Sequence, residues 1–77
     1  TEFMFEKFKL KRKIKMYKEQ IELLEKKRAR SQAALVEAIL VHTPPNDADV
    51  DYFNNYTSQI NEIRKRLQEI QARLDKR

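Results

Sequence analysis

The chain has no cysteine, no glycine and no tryptophan, and a single histidine and two prolines in 77 residues. Each absence removes a class of protein. Without cysteine there is no disulfide framework and no thiolate metal site. Without glycine, phosphate-cradling loops and dinucleotide turns are excluded, because they need positive φ or a close backbone approach. Asn-Gly hairpin turns are missing as well, which argues against an all-β fold. His42 alone cannot supply histidine-rich zinc geometry, and no calcium loop of alternating Asp or Asn closed by Gly and Glu occurs. No metal and no cofactor is therefore expected.

Long apolar runs are scarce too. The longest nearly apolar stretch, Ala33 to Val41, is interrupted by Glu37 and is about half of the roughly 18 residues needed to cross a bilayer. No secretory signal is visible near the N-terminus, so a cytoplasmic protein is expected. The three residues before Met4 fit a cloning remnant as well as native chain. Asn55-Tyr56-Thr57 matches the glycosylation triplet but falls within helical periodicity in a cysteine-free chain, and is read as chance.

What the chain does have is charge and helical periodicity: 38% Asp, Glu, Lys and Arg, 40% hydrophobic residues and net charge +5. Its one punctuation mark is Thr43-Pro44-Pro45-Asn46-Asp47. A residue before proline is pushed out of the helical region, so a first helix must stop near Val41 or His42. Asn46 or Asp47 can then cap a second, with Asp47, Asp49 and Asp51 favourably placed at its positive end. The expected architecture is an all-α, antiparallel two-helix coiled-coil hairpin: helix 1 over about 3–42, a turn at 43–47 and helix 2 over about 48–76.

Both helices carry an a/d seam. In helix 2, Phe53, Tyr56, Ile60, Ile63, Leu67, Ile70 and Leu74 alternate in steps of three and four. In helix 1, Leu10, Ile14, Tyr17, Ile21 and Leu24 do the same, and the frame continues through Arg28, Ser31, Leu35 and Ala38. A fold-back near residues 45 and 46 sets Phe53 opposite Ala38, Ile60 opposite Ser31, Ile63 opposite Arg28 and Leu74 opposite Tyr17, with every a residue meeting a d residue. In that register roughly residues 1–13 overhang the end of helix 2. Arg28 and Ser31 leave the seam polar in its middle. The plainer reading is a local slip of frame, with Gln32 or Ala29 turned inward and Arg28 reaching water; the rival reading is a polar residue that fixes register.

Helix 1 also has apolar residues off its seam: Phe3, Phe5, Phe8, Met16 and Leu23 toward the start, and Val36, Ile39 and Leu40 near the turn. A hairpin of this size buries one stripe per helix and is marginal alone, since ordering each residue costs on the order of 1.5 kcal/mol. These eight residues are therefore the candidate interface, and a homodimer forming a four-helix bundle, or a helical protein partner, is the expected way of covering them.

Charge is segregated along the chain. Residues 1–18 carry net +5, residues 19–41 balance, residues 42–51 carry −3 and residues 52–77 carry +3. Lys7, Lys9, Lys11, Arg12, Lys13, Lys15 and Lys18 form a basic pole that can attract phosphates. Nucleic acid is thus the alternative partner, and an anionic membrane surface, suggested by phenylalanines among lysines, ranks third.

No catalytic constellation can be assembled. The serines, Ser31 and Ser58, have no second histidine to activate them, and Glu22 with Glu25 sits among lysines without a pocket. His42 is placed to close helix 1, with its imidazole bonding the last carbonyls. The function expected is that of a non-enzymatic interaction or oligomerisation module of adaptor, chaperone or scaffold type. A small nucleic-acid-binding regulator is the alternative.

Overall fold

The computed structural model describes the backbone of residues 2–75 and the side chains of residues 4–75. It is an all-α helical hairpin: α1 spans Glu2–Leu40 and α2 spans Asp47–Asp75. The molecule measures 61 × 16 × 15 Å, so α1, about 58 Å long at 1.5 Å per residue, sets its length. Its radius of gyration, 17.6 Å, compares with about 11.5 Å for a compact chain of this size.

The helix ends follow from local chemistry. The Thr43 N–H donates to the Ala38 carbonyl at 2.9 Å and the His42 N–H to the Ile39 carbonyl at 3.2 Å. This is a Schellman closure with His42 in the left-handed position, at φ 58°. Histidine therefore ends α1 through its backbone and not through its imidazole, in a conformation that costs a non-glycine residue about 1 kcal/mol. Pro44 then bars resumption of the helix. Of the two capping candidates, Asn46 does the work. Its Oδ1 accepts the Ala48 N–H at 2.9 Å, and its carbonyl accepts the N–H groups of Asp49 and Val50. Asp47 and Asp49 occupy the first turn and Arg73 the last, each matching the helix dipole.

The seam is where the alternation places it. Leu10, Leu24, Ile60 and Ile70 are buried, with Ile60 fully enclosed; Ile14, Tyr17, Ile21, Leu35, Ala38, Phe53, Tyr56, Ile63, Leu67 and Leu74 are half-buried. Its polar middle is also part of it. Ser31 is buried and Arg28 half-buried, whereas Ala29 and Gln32 are exposed. The slipped frame is thus corrected: small Ser31 faces inward and the seam runs straight through. Arg28 stays in frame because its guanidinium lies 6.0 Å from the centre of the Phe53 ring, a cation–π contact available at a partly wet position.

The pairing of the two seams differs from the one expected. Opposite Ile63, Arg28 would sit about 15 Å along the axis from Phe53. Leu10 would lie past the end of α2, yet it is only 8% exposed. A slide of one heptad, the smallest that keeps a opposite d, accounts for both. It sets Ser31 opposite Phe53, Leu24 opposite Ile60, Ile14 opposite Ile70 and Leu10 opposite Leu74, and the ion pair of Arg64 with Glu25, 2.8 Å apart, is then reached by the long arginine side chain along about five residues of the axis. The physical reason is the αL residue. The chain reverses at His42, not at the prolines, so residues 43–46 run back beside the last turn of α1. The unopposed start of α1 consequently ends before Leu10. Lys7 stands at the next a position and marks where the seam stops.

Candidate interaction surface

On α1 the seam uses heptad positions a and d, and the opposite face is made of b, c and f. Phe8 and Val36 fall at b, Met16 and Leu23 at c, Phe5 and Leu40 at f, all exposed. Ile39, at e, is 68% exposed on the flank. The structure therefore brings seven of the eight expected interface residues to solvent; the Phe3 side chain lies outside the described residues. They form two groups. Phe5, Phe8, Met16 and Leu23 run along the first two thirds of the helix, and Val36, Ile39 and Leu40 gather beside the turn.

Between these groups the face is not smooth. A shallow concavity of about 390 Å³ is lined by Ala29, Gln32, Ala33, Val36, Glu37 and Leu40, because two alanines leave a step beneath the larger residues. A second, of about 360 Å³, is lined by Phe8, Arg12, Lys15, Met16 and Glu19. Sequence reasoning missed Ala29 and Ala33, since small residues contribute little to hydrophobic periodicity, although their spacing with Val36 and Leu40 repeats the a/d steps on the outer face. It also missed Val41 and Tyr52. Both are exposed, and Tyr52 stacks on Tyr56 with ring centres 6.3 Å apart.

The seven basic residues of the expected anion contact, Lys7, Lys9, Lys11, Arg12, Lys13, Lys15 and Lys18, are all exposed. They encircle α1 and do not line one side. Lys9 places its Nζ 4.9 Å from the centre of the Phe5 ring, so one of the phenylalanines already carries a cation. The neighbouring charges Arg12, Lys15, Glu19 and Glu22 make no ion pair among the described residues.

Nothing in the geometry assembles a chemical site. No group of three His, Asp or Glu side chains among the described residues could hold a metal ion. Among them also, no helix is long and apolar enough to cross a membrane. What the arrangement offers is a long, partly apolar helical face without a partner in the chain. The chain was compared with protein-family models, curated proteins and solved structures, and none of them matches it.

Proposed function

We propose that this protein is a non-enzymatic interaction and oligomerisation module, a hairpin whose outer α1 face is completed by another helical surface, as in a helical bundle. One observation carries the reading: the exposed large apolar residues lie almost entirely on one helix. Of them only Tyr52 belongs to α2, and Met4, Phe5, Phe8, Met16, Leu23, Val36, Ile39 and Leu40 all belong to α1. The surface area supports it as well. The chain exposes 6455 Å², where a compact monomer of 9.3 kDa exposes about 5,000 Å². The excess, which reflects the elongated shape, is larger than the roughly 800 Å² that a standard interface buries on each partner, so the surface has room for one.

The test is a pair of variants, Phe5→Ala with Phe8→Ala and Val36→Ser with Leu40→Ser. Both should keep the helical content of the parent, and at least one should weaken self-association or capture of a helical target. Both variants binding as the parent does would overturn the reading. A second reading, a nucleic-acid-binding regulator, is supported by the net +5 of residues 1–18 and the exposure of all seven basic side chains. Phosphate contacts are strongest at low salt, so absence of binding to single- or double-stranded nucleic acid at about 50 mM salt removes it.

A further inference from the structure

The outer face of α1 is as informative in its charges as in its apolar residues. Along its b and f positions the order is Phe5, Phe8, Arg12, Lys15, Glu19, Glu22, Lys26, Ala29, and from Phe5 to Ala29 each of these side chains is exposed. Two cations followed by two anions on one helical stripe form a self-complementary pattern. Turned end for end, the stripe presents anions to cations. Resting on the interaction reading above, we infer that the occupant of this face is a second copy of the chain, packed α1 against α1 in antiparallel fashion about a two-fold axis near residue 17.

The pairing is specific. Lys15 lies opposite Glu19 of the other copy, Arg12 opposite Glu22, Phe8 opposite Lys26 and Phe5 opposite Ala29, and the two-fold repeats each contact. At the flank, c positions approach one another, so Met16 meets its own copy beside the axis and Leu23 lies next to Lys9 of the other copy. Phe8 opposite a lysine is consistent with the Lys9–Phe5 contact already present. The concavity lined by Phe8, Arg12, Lys15, Met16 and Glu19 lies beside the axis and receives the opposing charged layer.

Charge also selects this register over its neighbour. A slide of one heptad would place Phe5 on Val36, Phe8 on Ala33 and Met16 beside Leu23, an apolar match, but it sets Lys15 against Lys26 and Glu19 against Glu22 on both sides of the axis. Four attractive pairs become four repulsive ones, and repulsion between facing like charges is a strong bar to a wrong register. Lys18 meets its own copy near the axis in the favoured pairing, at an exposed flank where solvent screens it. The patch of Val36, Ile39 and Leu40 lies outside the contact.

The experiment uses two double variants of the full chain, Arg12→Glu with Lys15→Glu and Glu19→Lys with Glu22→Lys, followed by sedimentation with circular dichroism as the control for folding. At positions 12, 15, 19 and 22 the first carries four anions and the second four cations. Each alone should self-associate at least about tenfold more weakly than the parent, and a one-to-one mixture should restore a heterodimer. Either variant associating like the parent, or a mixture that stays monomeric, overturns the inference. A parent that is monomeric yet captures a helical target through α1 also overturns it while leaving the interaction reading intact. Because the chain has no cysteine, a second measurement is clean. Met16→Cys chains, mixed with Leu23→Cys chains under oxidising conditions, should cross-link to themselves faster than to the Leu23→Cys chains, and a preference for the mixed pair, which is the contact of the slid register, contradicts the pairing.

Discussion

The two helices use their apolar residues in opposite ways. In α2 they form one stripe, Phe53 through Leu74, turned almost wholly toward α1, and the remaining surface is polar apart from Tyr52. α1 carries a matching stripe and, on the far side, a second population of exposed large apolar side chains from Met4 to Leu40. A helix apolar on two sides belongs between two neighbours, and the hairpin supplies one. The asymmetry teaches that α2 spends its large apolar side chains almost wholly on the seam, whereas α1 has more of them than the seam uses, and on the proposed reading that surplus is what meets a partner.

Substitutions can break this comparison. Ile60→Ala in the seam, at the one fully enclosed large side chain among the described residues, should cost about 2–5 kcal/mol, enough to unfold much of so small a protein in a urea titration. Leu23→Ala on the outer face should change the stability of the dilute monomer by no more than about 0.5 kcal/mol. Equal losses at the two sites would erase the distinction.

The helix ends give a smaller contrast. α2 begins on a favourable cap, so Asn46→Ala should cost about 1 kcal/mol by removing the acceptor for the Ala48 N–H. α1 ends on an unfavourable left-handed histidine, so His42→Gly should raise the melting temperature, by the equivalent of about 0.5–1 kcal/mol. A lower melting temperature for His42→Gly would show that the imidazole, and not the backbone, closes α1.

Much of this architecture was legible in the amino-acid order. The two prolines and Asn46 placed the break, and the unbroken three-four steps from Phe53 to Leu74 named the inward side chains. The register was not legible, because a heptad seam repeats after seven residues and any slide by that amount keeps a opposite d. What selects the true register is the left-handed turn at His42. Nothing in the composition announces that conformation, since glycine, its usual occupant, is absent. The inward position of Ser31 was obscured for a related reason. A buried polar residue looks like an error in a hydrophobic pattern until a small side chain is needed opposite a phenylalanine. The outer-face residues were visible as off-seam positions, but Ala29 and Ala33 became part of a surface only through the concavity they line.

The central claim is that α1, and not α2, presents the surface on which a second copy packs. It is tested most directly by thiol footprinting of two single-cysteine variants, Leu23→Cys on the outer face of α1 and Ala72→Cys on the exposed side of α2, across a range of protein concentration. The account predicts that alkylation at position 23 slows as concentration rises while the rate at position 72 stays constant. Equal rates at every concentration, or protection at position 72 in place of position 23, would contradict it.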